Sequence, residues 1–62
     1  MFEEAEVKEI ELFRNTNSKL AFNKLKVIYS NYTGETVKGC GCGKQERTVF
    51  LTMFYEWYEE NN

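Results

Sequence analysis

The segment that most constrains this chain is residues 34–46, GETVKGCGCGKQE, which contains all four of its glycines. Three of those glycines alternate at positions 39, 41 and 43. Neither a helix nor a strand accommodates glycine at that density, because glycine loses more backbone entropy on folding than any other residue. We therefore predict that this segment is a connection between two regular elements.

Residues 18–33, which precede the connection, are predicted to form a helix. Apolar residues recur there at helical spacing, and they are Ala21, Leu25, Ile28 and Tyr32. Asn17 or Ser18 is a suitable N-cap, since a short polar side chain can accept a hydrogen bond from the first turn. Gly34 stands where the helix would end in the left-handed conformation.

Residues 45–60, which follow the connection, are rich in aromatic side chains and are also predicted to be helical. One helical stripe is made by Phe50, Met53, Phe54, Trp57 and Tyr58. The alternation of apolar residues from Val49 to Trp57 also permits a strand. The length of the segment, its glutamates and the absence of turn residues favour the helix.

The N-terminal segment, residues 1–15, allows two structures. Val7, Ile10 and Phe13 fit a helical stripe, and the early glutamates suit a helix N-terminus. Residues 9–12 alternate between charged and apolar side chains, as a half-buried strand does. The segment is therefore predicted to be either a helix or an extended arm, with a break at residues 15–18.

These elements predict an all-α fold in which residues 1–62 form one small domain. Residues 18–60 are expected to form a helical hairpin, because a connection of about a dozen residues permits an antiparallel return. Its aromatic stripe would then pack on the preceding helix, against Leu25, Ile28, Tyr29 and Tyr32.

Apolar side chains surround more than half of the helix predicted over residues 45–60. A domain this small can bury only about one face of such a helix. One interpretation is that all of them belong to the core. The interpretation that we favour adds a partner-binding surface, since Trp and Tyr are enriched at interfaces. Leu51 and Tyr55, with the edge of Trp57, are expected to face outward. The predicted partner-binding residues are Leu51, Tyr55, Trp57 and Tyr58, with an acidic rim of Glu56, Glu59 and Glu60.

Cys40 and Cys42 are the only cysteines, and the chain contains no histidine. A structural zinc site needs four ligands, so this pair could hold a metal only with carboxylates or by sharing thiolates between two chains. A redox role would require a disulfide across a single glycine. We expect both cysteines to be reduced, free of metal and structural, and we expect no cofactor.

Acidic ends flank a basic middle segment in this chain, whose formal net charge is −2. Lys38, Lys44 and Arg47 bracket the glycine-cysteine segment and could contact an anion or a partner. The spacing does not match a phosphate-binding P-loop, because Gln45 follows Lys44. A sequence pI of about 5.1 argues against a nucleic-acid partner.

Composition also excludes several classes of protein. At 42% hydrophobic and 29% charged residues, the chain is expected to be neither disordered nor membrane-spanning. Its acidic start does not match a signal peptide. Without histidine, and with too few residues to enclose a water-excluded site, it is not expected to be an enzyme.

Residues 29–60 resemble small virion-associated proteins of tailed bacteriophages, in particular the crAss-like phages. The resemblance lies in Tyr-Thr-Gly at 32–34, Gly-Cys-Gly-Cys at 39–42, Arg47 and Glu-Trp-Tyr-Glu at 56–59. It implies a structural accessory protein present in several copies, bound to larger shell or portal-vertex proteins of a virion that assembles in the reducing cytoplasm of the host. Self-association is a further expectation.

Two alternatives remain open from the sequence. One is a small regulatory module that binds nucleic acid or a host protein through the basic glycine-cysteine segment. The other is a dimer that shares a metal ion through the cysteines.

Overall fold

The computed structural model describes residues 2–61, and within that range it contains three helices and no strand. Helix α1 spans Glu4–Leu12, α2 spans Lys19–Thr33 and α3 spans Lys44–Asn61. The all-α prediction is confirmed. The two end positions of the predicted domain, Met1 and Asn62, lie outside the described residues.

Helix α2 begins and ends where its capping residues predict. The Ser18 hydroxyl accepts a hydrogen bond from the Ala21 amide at 3.1 Å. Gly34 has a φ of 77°, and its amide donates to the Ser30 carbonyl at 2.9 Å. Both ends of α2 are therefore fixed by local chemistry that the sequence displays.

Helix α1 forms in the segment for which the sequence allowed a helix or an extended arm. The Glu6 carboxylate accepts a hydrogen bond from the Glu3 amide at 3.0 Å, which satisfies one of the free donors at the helix start. The apparent alternation in residues 9–12 is resolved by the helix, which buries Ile10 completely and leaves Leu12 72% exposed.

Helices α2 and α3 run in the same direction, so the prediction of an antiparallel hairpin is wrong. The rings of Phe22 and Phe50 lie 5.0 Å apart near the start of each helix. Near the end of each helix, the rings of Tyr29 and Trp57 are also 5.0 Å apart. Residue numbers thus rise together along the two helices.

The connection between these helices explains their direction, because it returns along the side of α2. The Lys26 ammonium donates to the Gly39 carbonyl at 3.2 Å, and the Asn23 side-chain amide donates to the Cys40 carbonyl at 3.5 Å. Residues 34–43 therefore lead from the end of α2 back to its beginning, where α3 starts.

Gly41 is the residue that holds the end of this connection against α2. It is buried, its φ is 72°, and a Cβ atom there would lie 2.6 Å from the ring of Phe22. Its amide donates to the Glu46 carboxylate on α3 at 2.9 Å. Only glycine fits this position without moving Phe22.

The core contains side chains from all three helices. The buried apolar residues are Ile10, Ala21, Phe22, Leu25, Ile28, Phe50, Leu51, Phe54 and Tyr58. Ile10 of α1 belongs to the same cluster as Leu51, which is only 8% exposed. The expectation that Leu51 faces outward is therefore wrong, since α1 adds cover on a side of α3 that the hairpin left open.

Candidate docking groove

A groove of about 650 Å³ lies between α3 and the turn that joins α1 to α2. Its lining residues come from that turn and from one side of α3. They are Asn15, Thr16, Asn17, Thr48, Leu51, Thr52, Tyr55, Glu56, Glu59 and Glu60. The groove is therefore built by two segments that are far apart in the sequence.

Tyr55 is the central side chain of the groove and is fixed in position. Its hydroxyl donates a hydrogen bond to the Ile10 carbonyl at 2.7 Å, which ties α3 to α1. Burial raises the pKa of Tyr55 to about 12, so the hydroxyl stays protonated at neutral pH. With the neighbouring Leu51, this ring gives the groove an apolar surface.

Arg14 secures the α1 side of this arrangement. Its guanidinium donates to the Glu11 carboxylate at 2.8 and 3.0 Å and to Glu59 at 3.1 Å. The same group lies over the ring of Tyr55, 4.9 Å from its centroid. Its hydrogen bond to Glu11 holds the pKa of that carboxyl below its ordinary value. Arg14 thereby connects three elements, namely α1, the turn and α3.

Asn17 closes the other end of the groove. Its side-chain amide donates to the Thr48 hydroxyl at 2.7 Å, and its carbonyl oxygen accepts from the Arg47 Nε at 2.6 Å. The turn is thus tied to α3 at both ends, which keeps the groove open without a partner.

The rim of the groove carries negative charge. Glu59 is paired with Arg14, but within residues 2–61 neither Glu56 nor Glu60 has an ion-pair partner. An apolar surface beside unpaired carboxylates is complementary to a segment that presents an apolar side chain flanked by lysine or arginine.

The structure divides the four residues that were predicted to bind a partner. Leu51 and Tyr55 both line the groove, although Leu51 is buried and Tyr55 is half-buried. Tyr58 is 1% exposed and belongs to the core, so it offers no binding surface. Trp57 is half-buried, with its ring 5.4 Å from that of Phe2. Trp57 and Tyr58 therefore do not belong to the groove.

Sequence reasoning missed the contribution of the turn. Asn15, Thr16 and Asn17 were identified as a break between helices, and their composition does mark a turn. Nothing in that composition indicates which helix the turn will lie against. The contacts of Arg14 with Glu59 and with the Tyr55 ring hold the turn beside α3.

The basic side chains around the connection do not form a shared anion site. Arg47 donates to the Gly41 carbonyl at 2.9 Å and to the Cys42 carbonyl at 3.2 Å, in addition to Asn17. Lys38 and Lys44 are exposed. Because Arg47 is engaged in holding the connection, the predicted three-cation loop has only two side chains available to a phosphate.

A second, smaller groove of about 440 Å³ lies between the connection and α3. Val37 is half-buried beside it, whereas Val49 is 66% exposed and Met53 is 37% exposed. This surface is apolar, and its only charged lining residues are Lys38 and Glu46. It lacks the acidic rim of the first groove.

Cys40 and Cys42 are joined to each other by a disulfide. The prediction that they are reduced thiols is therefore wrong: their Cα atoms, two positions apart in the chain, are separated by 5.3 Å, within the range that a disulfide spans. Residues 2–61 contain no group of three or more histidine, cysteine or acidic side chains suited to a metal ion.

Comparison with known proteins identifies no relative: no protein family, curated protein or solved structure matches this chain. Among the helices formed by residues 2–61, none is long and apolar enough to cross a membrane. The functional interpretation therefore depends on the geometry of the groove and the connection.

Proposed function

We propose that this protein is a small accessory protein that binds a larger assembly by protein–protein contacts, and that the groove beside α3 is its docking surface. The observation that carries this proposal is the combination of the Tyr55 surface with the unpaired carboxylates of Glu56 and Glu60. Three helices hold that surface in place, so little ordering entropy opposes binding.

The partner is a protein segment that is basic at its edges and apolar at its centre. The apolar side chain would lie against Tyr55 and Leu51, where it loses contact with water. Lysine or arginine on the partner would face Glu56 and Glu60, which increases the rate of association more than the affinity.

The assembly that we propose is a bacteriophage virion, at its capsid or portal vertex, with several copies of the chain in each particle. The resemblance of residues 29–60 to virion-associated proteins of crAss-like phages supports this setting. The proposed role needs no catalysis and no cofactor. The virion would assemble in the host cytoplasm, and self-association is compatible with the presence of several copies.

The alternative of a nucleic-acid-binding module has less support. It depends on Lys38, Lys44 and Arg47, and Arg47 is occupied by backbone carbonyls and Asn17. Salt separates the two functions, because phosphate binding weakens steeply as the salt concentration rises, whereas docking through an aromatic surface changes little.

A photo-cross-linking amino acid at position 52 tests the proposal directly. Thr52 is exposed and lines the groove, so a cross-linker there would reach the partner. Particles that contain this variant are purified, irradiated and analysed by mass spectrometry. We expect one particle protein to be cross-linked, at a peptide that contains lysine or arginine.

The matched control carries the same cross-linker at Glu35, which is exposed on the connection and outside both grooves. The proposal is contradicted if the chain is missing from purified particles. A chain that is present but cross-links equally from positions 35 and 52 would retain the virion setting and reject the groove.

A further inference from the structure

We propose that Cys40 and Cys42 form a thiol–disulfide exchange site that reacts reversibly with thiols. This inference is independent of the docking function. Three features of the connection carry it, and they concern the access to the cysteines, the backbone between them and the cation beside them.

The first feature is access. Both Cys40 and Cys42 are exposed, whereas Gly41 between them is buried against Phe22. The backbone of the connection thus faces the protein while the two cysteines face solvent. Thiol–disulfide exchange requires access to a disulfide sulfur. An incoming thiolate can reach these two cysteines without local unfolding.

The second feature is that the backbone between the cysteines is held by contacts that do not involve sulfur. The Gly41 amide donates to Glu46, and the Gly41 carbonyl accepts from Arg47 at 2.9 Å. Gly41 also lies directly against Phe22. Reduction leaves these contacts in place, so the two thiols stay near each other and the disulfide can form again.

The third feature is the position of Cys42, whose backbone lies next to Arg47 and just before the start of α3. Arg47 donates to the Cys42 carbonyl at 3.2 Å, and α3 begins two residues after Cys42. A nearby arginine and a helix N-terminus both stabilise a thiolate. Cys42 is therefore the better leaving group, and an incoming thiolate attacks the sulfur of Cys40.

The reaction balances with two thiols and no other reagent. One substrate thiolate attacks Cys40, the bond between the two cysteine sulfurs breaks, and Cys42 leaves as a thiolate. A second substrate thiolate then attacks the substrate sulfur of the mixed disulfide and releases Cys40. The protein gains two electrons and, once both thiolates are protonated, two protons, and the two substrate thiols become a disulfide.

Equilibration with mixtures of reduced and oxidised glutathione is the test. Samples are quenched with acid, alkylated, and weighed by mass spectrometry. We expect the intact chain to interconvert between disulfide and dithiol forms, with the transient glutathione adduct mapped to Cys40. A chain that instead accumulates glutathione on both cysteines, with no internal disulfide, would overturn the proposal.

Gly41→Ala and Gly43→Ala form a matched pair for the contribution of the backbone. Gly41 has a positive φ, and a Cβ atom there would lie only 2.6 Å from the Phe22 ring. The nearest neighbour of a Cβ atom at Gly43 would be 4.0 Å away. We expect the equilibrium constant for disulfide formation to fall about tenfold in Gly41→Ala, because a left-handed alanine costs about 1–2 kcal/mol. Gly43→Ala should differ little from the parent chain.

The unmodified chain in denaturant supplies a measurement that does not depend on the folding of any variant. We expect its disulfide equilibrium constant to be at least about tenfold lower when unfolded than when folded, since unfolding removes the contacts of Gly41. Equal constants in the two states would show that the fold does not prepare the pair, and this would overturn the proposal.

Arg47→Gln and Lys38→Gln test the role of the cation, since each removes one positive charge, the first from α3 and the second from the connection. We expect Arg47→Gln alone to abolish the preference of the adduct for Cys40. A preference that both variants retain would contradict the assignment of Cys42 as the leaving group.

Discussion

The guanidinium of Arg14 lies over the face of the Tyr55 ring, 4.9 Å from its centroid. This contact joins the turn after α1 to α3, and Glu11 and Glu59 hold the guanidinium in place. It therefore stabilises the fold and shapes one wall of the groove at the same time.

Replacement of Arg14 by glutamine should lower the free energy of unfolding by about 1 kcal/mol, because a cation–π contact and its linked ion pairs are lost together. Lys8→Gln is the matched control, since Lys8 makes one exposed ion pair with Glu4 at 3.8 Å. Thermal unfolding followed by circular dichroism measures both. Equal changes in the two variants would contradict a special role for Arg14.

Leu51→Ala should destabilise the protein by about 2–4 kcal/mol, because the side chain is buried and its removal leaves a cavity. Val49 lies two residues away and is 66% exposed, so Val49→Ala should change the free energy of unfolding little. Chemical denaturation gives both values. A tolerated Leu51→Ala would restore the expectation that this residue faces outward.

Gly34→Ala should cost about 1 kcal/mol, because alanine at a positive φ is strained. Nothing lies within 4 Å of a Cβ atom at this position, so the whole cost would arise from the backbone. Gly43→Ala again serves as the control. An unchanged melting curve for Gly34→Ala would mean that α2 ends at another residue.

The parallel direction of α2 and α3 can be checked without any substitution. Nuclear Overhauser effects are expected between the ring protons of Phe22 and Phe50, and between those of Tyr29 and Trp57. An antiparallel hairpin would instead bring Phe22 close to the end of α3. Effects between Phe22 and Trp57 would contradict the observed direction.

Acid should weaken the attachment of α1 to the end of α2. The Tyr32 hydroxyl donates to the Glu6 carboxylate, and this bond holds the pKa of Glu6 below its ordinary value of 4.5. A lowered carboxyl pKa stabilises the folded state above pH 4.5, and that contribution disappears as the pH falls through the lower value of the folded state. In Tyr32→Phe, NMR titration should show the pKa of Glu6 rising toward 4.5. An unchanged pKa would mean that Tyr32 is not its cause.

Alkali should act through Tyr55, whose pKa burial raises to about 12. A raised tyrosine pKa favours the folded state below pH 10, the ordinary value, and the advantage is lost as the pH rises through about 12. The pKa values of Tyr32 and Tyr58 are raised as well, so we expect tyrosinate absorbance to show several late-titrating residues, one of which is lost in Tyr55→Phe. Titration of all tyrosines near pH 10 would contradict the burial of this hydroxyl.

Local features of the fold could be predicted from the sequence, because capping depends on neighbouring residues. Ser18 and Gly34 define α2 through bonds that span three or four positions. The direction of α3 could not be predicted in this way. It depends on the packing of Gly41 on Phe22 and on the hydrogen bond from the Gly41 amide to Glu46. The connection is long enough to permit either an antiparallel or a parallel arrangement of α2 and α3.

The candidate site was predictable only in part for the same reason. The pattern of α3 identified Leu51 and Tyr55 as separate from the stripe that faces α2, and both line the groove. Their burial could not be foreseen, since it requires Ile10 of a segment whose structure the sequence left open.

The return of the connection along α2 also gives the molecule an electrical polarity. The peptide dipoles of α2 and α3 point the same way and therefore add, with their positive ends near Lys19 and Lys44 and their negative ends near Thr33 and Asn61. A hairpin would have cancelled them. Copies placed side by side on a charged surface would consequently share one orientation, and copies in a row would align with opposite poles in contact.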